Sequence, residues 1–382
     1  MASIGLCMIV KNEAPVIWRC LESTLALVDH ALIVDTGSVD GTQTIVQAFF
    51  HERKLSGEIV EQPWRNFAHN RSFALQKLRE RNDIDYGLMI DADEILVYEA
   101  GFDPEGFKRS LQCDLYDIPT RLANIVYPRP QLFSNRLAFV YKAVLHEYLD
   151  CEQVCSRDTA WGIFNLPSQD GARSRNPAKY RDDAAILEKA LQTETDPFLI
   201  SRYTFYLAQS YKDCGERSLA LQAYLHRSQL GYWEQEVYIS LYYAAQLKAL
   251  LGHGEAEVIQ AFLAAHEICP ARAEALHGAM RFCRLHGKYQ QGYILGKYAL
   301  DLLCPTNTGL FLEPWIYDYG LLDEFSILSY WAGHFQESFN ASLKLLKEGK
   351  VPEDYKIRIR KNADFAIEKL ANPQLRKLLP PG

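Results

Sequence analysis

Tyr86-Gly87-Leu88-Met89-Ile90-Asp91-Ala92-Asp93-Glu94 decides the fold, because a five-residue strand pattern runs straight into a group of carboxylates. Upstream, the same strand-to-polar transition recurs. Ile4–Val10 is an apolar run ending at Lys11-Asn12-Glu13; Pro15 then opens a helical pattern with Ile17, Leu21, Leu25 and Val28 on one face. Residues 31–34 form a second apolar run ending at Asp35, and Thr36-Gly37-Ser38-Val39-Asp40-Gly41 leads into a helix with Ile45, Val46 and Phe49 inward. Residues 58–61 read as a third strand and 66–81 as a third helix. Short apolar strands alternating with helices predict an α/β domain on a mostly parallel sheet covered on both faces. Such sheets bind ligands beyond the carboxyl ends of their strands, where the strand order reverses. Asp35 and Asp91 both fall at such ends.

Downstream the pattern changes. Residues 114–148 are extended segments interrupted by Pro128 and Pro130, and residues 169–176 form a polar link with Arg173, Arg175, Lys179 and Arg181 nearby. After Pro177 the chain reads as almost entirely helical. Gly215, Gly252, Gly287 and Gly333 each separate two amphipathic segments, at spacings of 37, 35 and 46 residues. A helix-turn-helix repeat has a period of about 34, and Tyr206-Leu207-Ala208, Tyr211, Gly215, Ala220 and Tyr224 resemble one tetratricopeptide repeat (TPR). The expected organisation is an α/β domain over residues 1–170 and an all-α, TPR-like domain over 171–382, with 171–181 as a basic link.

Composition narrows the function classes. The 382 residues are 48% hydrophobic and 23% charged, an ordinary globular balance. Twenty basic and 24 acidic residues precede position 182, and 21 and 24 follow, giving a net charge of −7. Neither half carries the broad basic footprint of a nucleic-acid binder. No apolar run approaches the roughly 20 residues that span a bilayer, and no secretory signal opens the chain. The nine cysteines form no C-x-x-C pair, so reduced, mostly buried thiols in a cytoplasmic protein are expected.

The carboxylates at the strand ends carry the chemistry. Asp91-x-Asp93 suits a hard divalent cation whose shell is completed by diphosphate oxygens. Asp35 can accept from a base N–H or a ribose hydroxyl, Gly37 permits close backbone approach, and Ser38 or Asp40 can cap the next helix.

Ser3-Ile4-Gly5-Leu6-Cys7-Met8-Ile9-Val10-Lys11-Asn12, the stretch 34–42, Ala68-His69-Asn70-Arg71-Ser72 and Met89-Ile90-Asp91-Ala92-Asp93-Glu94 together resemble the family 2 glycosyltransferases with a GT-A fold. Phe133 and Val144-Leu145-His146-Glu147 extend the likeness to about residue 150, and the TPR-like tail resembles a subgroup with peptide S-glycosyltransferases and lipopolysaccharide-core enzymes. The resemblance implies a nucleotide-sugar donor, UDP-linked, and inversion at the anomeric carbon. It implies that Val10 and Glu13 lie beside the base, Asp35 contacts uracil or ribose, and Arg71 faces the donor, with Ala92 in the same contact set. Asp93 would be the principal ligand of Mn²⁺ or Mg²⁺, Asp91 would lie nearer the ribose or a metal-bound water, and His146 would be a third ligand or an acceptor contact. Arg173 and Arg175 are further candidates for the phosphates. Glu147 is the expected catalytic base, although the family's usual motif there is an acidic pair and this chain has His-Glu.

The expected function is thus sugar transfer to a peptide, protein or glycan acceptor, with the helical array presenting the acceptor or pairing two copies. A TPR-type scaffold carrying an inactive transferase domain is the alternative, and glycosylation of a hydroxylated DNA base ranks lower because of the net charge. Tyr238, Tyr242 and Tyr243 are expected to pack between helices, with a stacking surface for an acceptor as the sharper reading.

Overall fold

The computed structural model describes residues 1–122, 125–153, 155–306, 309–348 and 350–380. The chain divides into two compact units, Met1–Ala190 and Leu191–Gly382.

The first unit contains β1 (Ile4–Val10), α1 (Ile17–Thr24), β2 (His30–Asp35), α2 (Thr42–Arg53), β3 (Ser56–Glu61), α3 (Phe67–Arg79) and β4 (Tyr86–Met89). It continues with β5 (Glu94–Tyr98), α4 (Pro104–Ser110), β6 (Leu115–Leu122), β7 (Ile125–Ser134), β8 (Val140–Lys142), β9 (Tyr148–Asp150), β10 (Arg157–Thr159), β11 (Ile163–Pro167) and α5 (Lys179–Leu191). The main sheet has the order β3-β2-β1-β4-β7-β6-β11-β5, with β10 on β6. The first four strands are parallel, as the alternation predicts. Beyond β4 the sheet is mixed: β7 runs antiparallel to both β4 and β6, and β11 runs antiparallel to β5.

Alternation along β1 explains the two-faced core. Ile4, Leu6, Met8 and Val10 pack with Ile17 and Leu21 of α1 and Val46 and Phe49 of α2. Cys7 points the other way, into Ala74, Leu75 and Leu78 of α3. Asn66 caps α3 by accepting from the His69 amide at 2.7 Å.

The order β2-β1-β4 places the reversal between β1 and β4, since the chain moves outward on one side of β1 and then returns to its other side. Val10, Asp35 and Asp91 all lie at the carboxyl edge there. The β8–β9 ribbon stands off this sheet. It is held to α3 by Ser72, whose hydroxyl accepts from the Tyr141 amide at 2.8 Å and donates to the Tyr141 carbonyl at 3.2 Å.

The division falls between Ala190 and Leu191, and the basic link is tied into the first unit. Ala172 N–H donates to both Glu13 oxygens at 3.1 and 3.2 Å, Arg175 reaches the Asn12 carbonyl at 3.5 Å, and Arg173 pairs with Asp183 of α5.

The second unit contains α6 (Pro197–Asp213), α7 (Arg217–Arg227), α8 (Glu234–Leu250), α9 (Glu255–Ile268), α10 (Glu274–Leu285) and α11 (Tyr289–Ala299). A π-turn at Ile316–Gly320 leads into α12 (Leu321–Trp331), followed by α13 (Phe335–Glu348) and α14 (Glu353–Leu370). Gly215, Gly252, Gly287 and Gly333 take φ values of +86°, +74°, +69° and +87°, the left-handed geometry that ends one helix and starts its partner. Tyr238 and Tyr242 are buried at 0% and 4% exposure, so these rings pack between helices. All nine cysteines are free; Cys7, Cys20, Cys269 and Cys283 are buried, Cys304 is exposed, and the rest are half-buried, fewer in the core than expected. No described helix is long and apolar enough to cross a membrane.

Candidate active site

The carboxyl edge of β1, β2 and β4 gathers most of the residues named from sequence. Val10 and Ala92 are core side chains; the Val10 carbonyl accepts from the Thr36 amide at 2.9 Å and the Thr36 hydroxyl at 3.0 Å, locking the β1 and β2 ends together. Asp35 is 1% exposed. Its Oδ1 accepts from the amides of Gly37 and Ser38 at 2.7 Å each, whereas its Oδ2 is buried and takes no hydrogen bond. The Ser38 hydroxyl accepts from Asn12 N–H at 2.9 Å, and Asp40 accepts from Ala14 and Thr42. These two residues therefore stitch the first two strand-end loops together.

A chain of alternating charges lies beside this edge. Arg71, 6% exposed on α3, donates from Nε to Glu147 Oε1 and from Nη2 to Asp91 Oδ1, at 2.6 Å each. Arg129 on β7 lies 3.5 Å from Asp91 Oδ2 and donates to Glu94. Glu94 in turn accepts from the Asp91 amide at 3.1 Å and from Gln131 Nε2 at 3.4 Å. Burial alone would raise the Asp91 carboxyl, but Arg71 and then Arg129 outweigh it and hold Asp91 below the usual carboxylate range. Burial raises Glu94, with the charge of Asp91 adding and Arg129 opposing.

Asp93 has a different environment. It is half-buried, and its Oδ2 accepts from Gly171 N–H at a long 3.3 Å. Burial first, and Asp91 second, push its carboxyl above the usual range. Glu13 is pushed up to about 7, chiefly by burial; the Ala172 N–H and Arg175 oppose the rise, and Asp93 and Asp40 add to it. Two partly buried carboxylates, Glu13 raised in part by the charge of Asp93, form a donor set suited to a hard cation. The expected three-ligand set is not preformed: among the described residues no three Asp, Glu, His or Cys side chains converge as a metal cluster. Asp91 is engaged by two arginines instead, and His146 lies in the β8–β9 connection with φ +52°. The residues thus fit a cation anchored on Asp93, with Glu13 nearby.

Two of the arginines named from sequence have partners within the chain. Arg173 is paired with Asp183 and lies 4.7 Å from the Phe67 ring centroid, so it is committed to the link. Arg71 is committed to Asp91 and Glu147. Sequence reasoning missed Arg129, Gln131 and the Arg19–Asp170 pair; Ser168 and Gly171, flanking Asp170, bond to Asp93. A cavity of about 510 Å³ lined by Asp85, Tyr86, Asp114 and Arg136 lies at the amino ends of β1 and β4, away from this chemistry.

Residues 6–99 match the family described as Glycosyl transferase family 2. A TPR repeat-containing protein of Synechococcus elongatus is 26% identical over 223 residues, covering 55% of this chain and 53% of that protein, so the chain spans about half of this relative's length. An uncharacterized glycosyltransferase of Rickettsia felis is 23% identical over 240 residues, covering 61% of this chain and 77% of the relative. Among solved structures, S. aureus TarS 1–349 in complex with UDP is 13% identical with a TM-score of 0.33, covering 65% of this chain and 83% of that one. The N-terminal α/β domain thus carries, over residues 6–99 and the carboxylate edge, the likeness to glycosyltransferase family 2, and a TPR-like helical domain follows it in the same chain.

Proposed function

We propose that the first unit is an inverting transferase that takes a sugar from a UDP-sugar and delivers it to a peptide, protein or glycan acceptor. The observation that carries this reading is the unpartnered Asp35 Oδ2 at the strand-order reversal. Leaving a buried polar atom unsatisfied costs about 1–3 kcal/mol. A base N–H or ribose hydroxyl from a nucleotide bound along the β1 and β2 ends would remove that cost. Glu13 lies on the same edge, beside the proposed nucleotide position.

The diphosphate would then lie toward Asp93. Mn²⁺ or Mg²⁺ bound there would offset the charge on the departing diphosphate. Asp93 is suited to hold it because, unlike Asp91, no arginine side chain competes for its carboxylate with a hydrogen bond. Glu147 is the proposed base. As the acceptor heteroatom attacks the anomeric carbon and the bond to the diphosphate breaks, the acceptor proton passes to Glu147. Arg71 orients that carboxylate through Oε1 and ties it to Asp91, so the base and the donor edge are held on one guanidinium. General-base assistance of this kind contributes about 10²–10⁴ in rate.

The test is a calorimetric titration of UDP, GDP and UDP-sugars, each with and without Mn²⁺. Metal-enhanced binding of one nucleotide, weakened in Asp35→Ala and losing its metal dependence in Asp93→Ala, is the expected result. Absence of binding by every nucleotide would overturn the reading.

A further inference from the structure

Along α11, Tyr289, Gly292, Tyr293 and Gly296 recur at steps of three and four, so they share one face of the helix. Along α12, Phe325, Leu328 and Trp331 recur every third residue and do the same. The two stripes meet. A Cβ on Gly292 would lie 2.6 Å from Leu328 Cδ2, and one on Gly296 would lie 2.6 Å from Phe325 Cδ2, so the helices pack this closely only because both positions are glycine. Tyr293 stacks on Phe325 at 5.6 Å and on His334 at 4.0 Å. The same close approach brings Tyr289 and Trp331 together at the end of the pair, with ring centroids 5.5 Å apart and planes 21° from parallel. Gln290 ties the α10–α11 turn to the end of α12, donating from Nε2 to the Ala332 carbonyl at 2.9 Å.

Trp331 is fixed but not covered. Tyr289 stacks against it and Tyr330 meets it edge-on at 5.4 Å, yet it stays 59% exposed. Beside it lies an open cleft of about 350 Å³ lined by Gly287, Lys288, Tyr289, Gln290, Gln291 and Trp331, within the range of about 300–1,000 Å³ that small ligands occupy. Lys288, the charged member of that lining, is neutralised by Glu255 at 2.6 Å. Among the described residues the Gln291 amide, the Tyr289 hydroxyl and the Trp331 indole N–H make no hydrogen bond, so their capacity is open to a ligand.

An aromatic plane rimmed by uncharged donors and acceptors suits a neutral ligand with one flat apolar face and a polar edge. A pyranose ring has that shape, with axial C–H bonds on one face and hydroxyls around the rim. An apolar peptide side chain would leave the amides unmatched, and an anionic membrane surface would need a cation that Lys288, already paired, does not supply. We propose that Tyr289, Trp331 and Gln291 form a carbohydrate-binding site between α11 and α12, which takes a neutral pyranose of a glycan. The sugar's C–H face lies on the indole and its hydroxyls reach Gln291 and Gln290 Oε1. This site belongs to the helical unit alone and stands whether or not the first unit binds a nucleotide.

The probes are cellotriose, maltotriose, chitotriose and mannotriose, each titrated into the full chain and followed by saturation-transfer difference NMR. At least one should receive saturation on the C–H protons of a single ring face, and excess UDP should leave that signal in place. Trp331→Ala should weaken the binding about tenfold or more, whereas Trp331→Phe should keep part of it. Gln291→Ala should weaken it while the circular dichroism spectrum is unchanged; because Gln291 is exposed, this variant carries the test if Trp331→Ala fails to fold. Saturation of none of the four sugars, or full binding in either alanine variant, would overturn the proposal. So would sedimentation showing that the unaltered chain is a dimer which Trp331→Ala splits, since a second copy would then be what covers the indole.

Discussion

Replacing Arg71 by methionine removes the guanidinium while keeping much of its volume, and the structure sets the size of the loss. Two hydrogen-bonded ion pairs at 2.6 Å disappear, leaving Asp91 and Glu147 with buried charge and one fewer partner. Breaking a buried pair from one side costs about 3–5 kcal/mol. Asp91 keeps Arg129 at 3.5 Å, and its side chain retains 31% exposure, so solvent screening favours the lower end, about 3 kcal/mol. For a unit of this size that corresponds to a fall in Tm of about 6–12 °C. The pH dependence has a definite sign. The folded-state pKa of Asp91 is depressed, so its contribution is fully present above the unfolded value near 3.9 and is lost as pH falls through the folded one. Thermal unfolding of both proteins, followed by circular dichroism from pH 7 downward, should show a gap that narrows below about pH 4. A gap under about 1 kcal/mol at pH 7, or one that widens on acidification, would refute the charge-chain argument.

Other expectations follow from the same geometry. Glu147→Gln should bind the donor nucleotide normally and slow transfer by about 10²–10⁴, measured as nucleotide release with acceptor present; near-normal turnover would remove it as the base. Asp93→Ala should abolish the Mn²⁺ dependence of nucleotide binding while the circular dichroism spectrum and Tm stay close to those of the unaltered chain. Glu13 has a folded-state value raised to about 7, so the stability it contributes is complete below the unfolded value near 4.3 and is lost as pH rises through about 7. Glu13→Gln should therefore gain stability relative to the unaltered chain between pH 5 and pH 8, and a constant difference across that range would contradict the assignment.

The parallel half of the sheet was readable because strands buried on both faces leave apolar runs, and each run here ends in a polar residue at the carboxyl edge. The four turn glycines were readable for a local reason too: helix pairs need a left-handed residue at the hinge, and glycine supplies it without steric cost. Arg129 was not readable. Its importance comes from β7 pairing antiparallel with β4, through Leu88 opposite Leu132 and Gly87 opposite Phe133. That pairing joins segments more than forty residues apart and leaves no periodic trace. The capture of the basic link by Glu13 and Asp93 was hidden for the same reason, since Ala172 and Glu13 are 159 residues apart. Arg173 and Arg175 looked like spare cations only while Asp183 and the Asn12 carbonyl were out of view.

The two carboxylates of Asp91-x-Asp93 show why composition at a motif does not assign its roles. Had the strand continued through them, alternation would have put both on the same face, and either could have been the ligand. Instead the chain turns: Glu94 N–H donates to the Asp91 carbonyl at 3.0 Å, and the Asp91 amide donates to Glu94 Oε2 at 3.1 Å. That reciprocal pair aims Asp91 at Arg71 and Arg129 and Asp93 at the Gly171 amide. One carboxylate is neutralised by two cations and the other is left with repulsion and a long backbone contact, so their affinities for a divalent cation must differ. An Arg129→Leu exchange tests the division directly, because freeing Asp91 from one cation should let it compete for the metal. Mn²⁺ affinity should then rise, measured by metal-dependent quenching of protein fluorescence, and in Asp93→Ala it should be partly restored. If Arg129→Leu restores nothing to Asp93→Ala, Asp91 is held away from the metal position by the turn itself and not by its arginines.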